Sequence, residues 1–184
     1  MSEIIHKKWK EIRLADLSVR YIPVVTPIEL WNHDMSLVNS PHVELMQIFL
    51  KHGMDMRLVK KTRYYKERQH RHKIGMKRWN ENYIHYHIEK RYKLFKNVKK
   101  KYKSDKKNPI CVLKRPFWTT RFGLNEEWIG GMEVYNGMGR CSSLYVLGKE
   151  TVKVMICKDK YPGTENKGKF EHKLKDIKGV WPEN

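Results

Sequence analysis

The chain of 184 residues contains no apolar run of about 18 residues, the length that a membrane-spanning helix needs, so no membrane partner is expected. Residues 1–10 are polar and basic and lack the apolar stretch of a secretory signal, which predicts a cytoplasmic protein, or one in the host cytoplasm if the source is viral. The cysteines Cys111, Cys141 and Cys157 are too few and too scattered for a disulfide framework. We expect them to be reduced and buried.

Acidic residues are scarce. The sequence has 20 Asp and Glu against 39 Lys and Arg, which gives a formal net charge of +19. Carboxylates spread this thinly do not supply the cluster that a metal-dependent nuclease needs. His70 and His72 form one close histidine pair, and His85 and His87 form another, but positions two apart on a helix point in different directions. The sequence therefore predicts no metal site.

The positive charge is concentrated in residues 57–107, where 20 Lys and Arg accompany only 4 Asp and Glu. Eight aromatic residues are interleaved with these cations. Ammonium groups displace counterions from a polyanion, and aromatic rings offer stacking faces, so the segment is typical of DNA or RNA binding. An acidic partner protein, or a solvated helix face whose aromatic residues point into the core, produces the same pattern. The nucleic-acid patch is predicted at Lys90, Arg91, Lys99, Lys100 and Lys101.

Helix and strand signals alternate along the chain. Ser40 followed by Pro41 predicts a helix start, and Gly53 predicts its end. The spacing of apolar residues predicts further helices at about 62–73 and 78–103, and a short helix at about 140–147. Strands are expected at 110–113, 128–135 and 151–157, with one or two more within 11–30, where the β-branched run is 21–26.

These elements suggest four parts of the chain. Residues 1–56 are expected to supply strands and a helix of the core. Residues 57–108 form a basic helical segment, and residues 109–158 hold the strands and the glycine turn described next. Residues 159–184 are polar and are predicted to be a loosely ordered tail.

The turn Asn136-Gly137-Met138-Gly139-Arg140 lies between a predicted strand and a predicted helix. The first N–H groups of a helix lack partners within the helix and carry partial positive charge, so an anion binds well there. Glycines allow the backbone to approach a ligand closely, and an arginine binds phosphate with two donors. The sequence predicts a phosphate or nucleotide site made of Asn136, Gly137, Met138, Gly139, Arg140, Ser142 and Ser143.

Residues 109–157 resemble the ParB/sulfiredoxin superfamily. The matching features are the strand Pro109-Ile110-Cys111-Val112, the Gly137-x-x-Arg140 turn, a helix of small residues that ends in Leu147-Gly148, and the strand of residues 151–156, TVKVMI. The chain would be a small stand-alone or phage-type variant. The resemblance implies an α+β fold with a small mixed sheet flanked by helices, into which the basic helical segment is inserted. It also implies binding of a nucleotide such as ATP, ADP or CTP with Mg²⁺.

The resemblance places Gly137 and Arg140 at the phosphate-binding positions and Asn136 where relatives often have an aspartate. Met138 and Gly139 depart from the pattern, because related proteins carry a reactive cysteine or a Glu-Arg pair there. Two functions follow as hypotheses. One is a nucleotide-phosphate-binding protein, as an NTP-dependent phosphotransferase or NTP hydrolase. The other is a DNA- or RNA-associated protein that binds through its basic segment without catalysis.

A phosphoryl-transfer reaction requires a carboxylate that positions Mg²⁺ or accepts a proton. Glu133 lies three residues before the turn and is the candidate for that role, with an ordinary strand carboxylate as the alternative. The loop after the first strand of the 109–158 region offers residues that can grip a base or substrate, or can simply anchor the loop in the core. Those residues are Lys114, Arg115, Trp118 and Arg121.

Overall fold

Five short strands form one mixed sheet. The computed structural model describes residues 8–19, 36–103, 108–113 and 132–157. The strand order is β1-β5-β3-β4-β2; β1 pairs with β5 and β3 with β4 antiparallel, whereas β3 with β5 and β2 with β4 are parallel. The described chain is therefore of the α+β type, as predicted. The strands are β1 Lys8–Arg13, β2 Leu17–Ser18, β3 Cys111–Leu113, β4 Met132–Asn136 and β5 Thr151–Cys157.

Four of the five described α-helices begin at residues whose side chains accept a hydrogen bond from the first turn. The Ser40 hydroxyl accepts from the N–H of Val43 at 3.3 Å, and the amide oxygen of Asn80 accepts from the N–H of Tyr83 at 2.9 Å. Gly53, with φ of 64°, ends the first helix, as the sequence predicts. The helices are α1 Pro41–His52, α2 Met56–Val59, α3 Arg63–Lys73, α4 Glu81–Lys100 and α5 Met138–Val146.

Two apolar cores lie on either side of α1 and α4. In the sheet core, valines of the inner strands pack against Val98 of α4 and Leu144 of α5. In the helical core, Phe49 of α1, Tyr64 of α3 and Phe95 of α4 pack together. Because Phe95 and Val98 belong to different cores, the basic segment contributes to both of them. The same helix therefore buries one side and exposes its lysines on the other.

Several boundaries differ from the sequence-based prediction. The helix expected at 78–103 is shorter, because Lys77–Trp79 forms a separate 3-10 turn before α4. The short helix α2 was not predicted, and α5 begins at Met138 instead of residue 140. The run 21–26, the tail 159–184 and residues 114–131 lie outside the described residues. Within the described ranges, no helix is long and apolar enough to cross a bilayer.

Candidate anion-binding sites

The predicted turn joins β4 to α5 and depends on glycine at one position. Gly137 has φ of 102° and ψ of 16°, a left-handed conformation, and it is the N-cap residue of α5. A Cβ added there would lie 2.8 Å from Cγ1 of Ile110. No described side chain caps the start of α5, so its first N–H groups have no side-chain acceptor within the described part of the chain. The predicted strand, turn and helix arrangement is confirmed.

Arg140 and Asn136 bind backbone of the segment that leads into β3. The Arg140 guanidinium donates to the carbonyl oxygen of Asn108 and, at 3.1 Å, to that of Pro109. The Asn136 amide donates to the same Pro109 oxygen at 3.2 Å. Both side chains therefore have a structural task at the turn, whether or not they bind phosphate.

The second glycine of the turn lies against α4. A Cβ added to Gly139 would lie 2.6 Å from Nη1 of Arg91 and 2.8 Å from Cδ2 of Leu94. The missing side chain thus lets α4 and α5 pack closely, and it places a guanidinium beside the start of α5. Arg91 was predicted as part of the nucleic-acid patch, but it is half-buried at the phosphate turn. Sequence patterns did not reveal this placement because the two residues meet only through helix packing.

Three further predicted residues are turned away from the start of α5. Ser142 and Ser143 are fully buried, and their hydroxyls donate to the carbonyl oxygens of Met138 at 2.9 Å and Gly139 at 2.6 Å. The structure therefore does not bring these hydroxyls to the open N–H groups. Glu133 is also buried, and it alternates with Val134, whose side chain faces α4 and α5. The carboxylate of Glu133 accordingly lies on the opposite face of the sheet from α5.

The cysteine of α5 does not supply a reactive thiolate. Cys141 in α5 is a free, buried cysteine, and burial raises its pKa to about 12. Because the thiolate is the reactive form, this residue is a poor nucleophile at neutral pH. The predicted base or substrate residues of the neighbouring loop, Lys114, Arg115, Trp118 and Arg121, lie outside the described residues.

The exposed side of α4 forms a basic stripe. Tyr86, Lys90, Lys93 and Lys100 are all exposed, and they follow one another at helical steps of three, four or seven residues. Tyr86 is 51% exposed, and the Lys90 ammonium lies 4.5 Å from its ring centre. The predicted patch residues Lys99, Lys100 and Lys101 are likewise exposed. Of the two acids of α4, Glu81 pairs with Lys60 at 2.9 Å, whereas Glu89 is exposed four residues before Lys93.

A buried charge cluster, which the sequence did not predict, lies in the helical core. Oε1 of Glu67 accepts hydrogen bonds from Arg68 at 2.6 Å and from Arg71 at 2.5 Å. The Glu67 and Arg68 side chains are only 1% and 6% exposed. Charged residues on a helix are ordinarily solvated, and the sequence contains no signal that distinguishes these three. Their burial follows from the packing of α1 and α4 over α3.

Two histidines border the cluster and are neutral at pH 7. Burial, together with the nearby Arg68 and Arg91, lowers the pKa of His87 to about 3. The same causes lower the pKa of His42 well below its ordinary value. His87 Nδ1 lies 3.1 Å from the hydroxyl of Tyr64. Among the described residues, no group of three or more His, Cys, Asp or Glu is arranged to hold a metal ion.

Comparison of the chain with protein-family models, curated proteins and solved structures finds no match. The resemblance to the ParB/sulfiredoxin superfamily therefore stays a prediction.

Proposed function

We propose that this protein binds the phosphate backbone of DNA or RNA through the basic stripe of α4. The observation that carries the proposal is the alignment of exposed Lys90, Lys93 and Lys100 along one side of a helix whose opposite side is buried in both cores. The helix is thus fixed by packing, and this side of it carries three exposed lysines against one exposed acid, Glu89. Release of counterions from the nucleic acid then drives association.

Exposed Tyr86 gives the stripe a preference for single strands. Its ring is available to solvent at the end of the line of lysines, and Lys90 lies against it. A base that stacks on such a ring gains about 1–3 kcal/mol, whatever its identity. The neighbouring ammonium binds the adjacent phosphate. Single-stranded nucleic acid is therefore the favoured partner, and binding is independent of sequence.

The decisive test replaces Lys90, Lys93, Lys100 and Lys101 by glutamine and measures binding of a labelled oligonucleotide over a range of salt concentrations. Each lost phosphate contact lowers the slope of log K against log [salt] by roughly one, so a reduction of roughly three to four is expected. A matched control removes four exposed lysines from β1, β5 and the loop before β5, and it should keep most of the slope. The control residues are Lys8, Lys10, Lys149 and Lys153. Equal losses in both variants would show that net charge alone attracts the ligand.

A second pair of variants tests the stacking ring. Tyr86→Ala should weaken single-strand binding by about tenfold, whereas Tyr86→Phe retains the ring and should bind like the wild type. Binding of double-stranded DNA should be little changed by either substitution. If a tight acidic-protein complex forms while oligonucleotides do not bind, the nucleic-acid proposal fails.

The start of α5 supports a second candidate function, binding of a nucleotide phosphate. The supporting observation is that the uncapped N–H groups after Gly137 lie beside the Arg91 guanidinium. We do not propose catalysis at the start of α5, because Met138 and Gly139 supply no acid or base, and Glu133 lies on the other face of the sheet. Calorimetry with ATP, ADP and CTP in the presence of Mg²⁺ tests it. Arg91→Gln should abolish the heat of binding, and Lys93→Gln, at an exposed position of the same helix, should leave it unchanged.

A further inference from the structure

The buried charge cluster of the helical core has an excess of positive charge. Arg68 and Arg71 share a single carboxylate oxygen, that of Glu67. Both guanidinium groups also lie over the indole of Trp79, with their carbons 5.0 and 5.4 Å from its ring centre. Two cations are therefore adjacent and largely shielded from water, and one carboxylate neutralises only one of them.

Among the residues that the structure describes, the other groups around the two arginines add no negative charge. His42 and His87 border the cluster as neutral rings, and Arg91 acts on both of them electrostatically as a further cation. Burial by itself would raise the pKa of Tyr64, yet Arg68 and Arg91 bring that pKa below its usual value. The lowered pKa of this deeply buried phenol reflects the two nearby guanidinium groups and the hydrogen bond with Arg68.

Each arginine also retains an unused donor. Within the described chain, Nε of Arg68 and Nε of Arg71 are buried and have no hydrogen-bond acceptor. A buried N–H without an acceptor costs about 1–3 kcal/mol, and more on a charged group. The Arg71 side chain is 20% exposed, so the cluster is open to solvent on that side.

We propose that Arg68 and Arg71 bind a phosphate group, either free or as a terminal monoester, on the side of the buried charge cluster where Arg71 is open to solvent. A tetrahedral oxyanion presents several acceptors to the unused donors at once and carries the charge that the cluster lacks. A carboxylate has only two oxygens and a single charge. The site is distinct from the basic stripe, since its residues come from α3 and are buried, so either proposal can fail without the other.

The test is calorimetric titration of the full chain with inorganic phosphate, with chloride at matched ionic strength as the reference and no nucleic acid present. Arg71→Gln should weaken phosphate binding by about tenfold, because it removes one charge and the more exposed of the two guanidinium groups. Lys73→Gln removes the same charge from an exposed position of α3 and should bind like the wild type. Arg71→Lys keeps the charge without the forked donors, and it should also bind weakly.

Absence of phosphate binding by the wild type, or equal weakening by Arg71→Gln and Lys73→Gln, would overturn the proposal. The second result would mean that a protein of charge +19 attracts phosphate without a site. Oligonucleotides with and without a 5′-phosphate separate the two sources of the ligand. A tenfold preference for the phosphorylated strand that Arg71→Gln abolishes identifies a terminal monoester. Equal affinity, with phosphate binding intact, identifies free phosphate as the ligand.

Discussion

The guanidinium of Arg140 donates a 3.1 Å hydrogen bond to the carbonyl oxygen of Pro109, 31 residues away in the chain. This bond joins the first turn of α5 to the backbone that enters β3. Asn136 donates to the same oxygen from the end of β4. The residue that the sequence predicts as a phosphate ligand therefore connects α5 to the entry of β3, and its contribution to stability can be separated from any contribution to binding.

Substitution of Arg140 by glutamine should lower the free energy of unfolding by about 1 kcal/mol, because the carbonyl oxygens of Asn108 and Pro109 at the entry of β3 lose a charged donor. Arg140→Lys keeps the charge but cannot reach both carbonyls, so it should lose most of that stability as well. Urea denaturation measures both effects. Wild-type stability in both variants would mean that these hydrogen bonds contribute nothing measurable.

Gly137→Ala should destabilise the protein by at least about 1 kcal/mol more than Gly75→Ala. Both glycines have positive φ, 102° and 95°, so both substitutions strain the backbone. Only at Gly137 does the new Cβ also collide with Ile110, whereas nothing lies within 4 Å at Gly75. Thermal unfolding of the two variants isolates the collision, and equal losses would assign the whole effect to backbone conformation.

Glu67→Gln should destabilise the protein by about 3–5 kcal/mol, since it leaves Arg68 and Arg71 buried without a carboxylate. Glu81→Gln removes a carboxylate from an exposed pair with Lys60 and should have little effect. Chemical denaturation provides the comparison. If inorganic phosphate restores part of the stability of Glu67→Gln, the binding site inferred for Arg68 and Arg71 gains independent support.

Stability should fall as the pH drops from 7 to 5. The pKa of His87 is about 3 in the folded protein and about 6.5 in the unfolded chain. The unfolded state therefore takes up the proton first, and acidification stabilises it relative to the folded state. This group alone accounts for about 2 kcal/mol between pH 7 and pH 5, and His42 acts in the same direction.

The measurement is the difference in unfolding free energy between the two pH values, and His87→Gln should reduce that difference. His52→Gln, at an exposed position of α1, is the control and should follow the wild type. A wild-type pH dependence in His87→Gln would show that the ring is not held neutral by burial and the arginines.

The sequence predicted those elements whose bounds depend on neighbouring residues. Ser40, Pro41 and Gly53 located α1 correctly, because caps and fixed dihedral angles act on the residues beside them. The β-branched run of β5 was predicted at Thr151–Cys157, as observed. Helix periodicity also predicted α4, whose apolar side includes Ile84, Ile88 and Val98, but it did not reveal that the helix serves two cores.

The candidate sites were predicted in part. The glycine turn and its helix are where the sequence placed them, and exposed lysines follow one side of α4. The serines after Arg140 were expected to contact the same anion. Both hydroxyls instead donate to carbonyl oxygens one turn earlier in α5. A Ser in the first turns of a helix reaches either a ligand or the preceding carbonyl, and sequence alone does not distinguish the two.

What the sequence determines by itself is the α+β composition, the glycine turn and the concentration of positive charge in residues 57–107. These depend on neighbouring residues, on dihedral angles and on counting charges. Only the tertiary structure decides which cations are solvated. Lys90 faces water, Arg91 lies beside Gly139, and Arg68 is buried with Glu67, although all three belong to the same basic segment. Burial is a property of the elements that pack over a residue, and those elements come from distant parts of the chain.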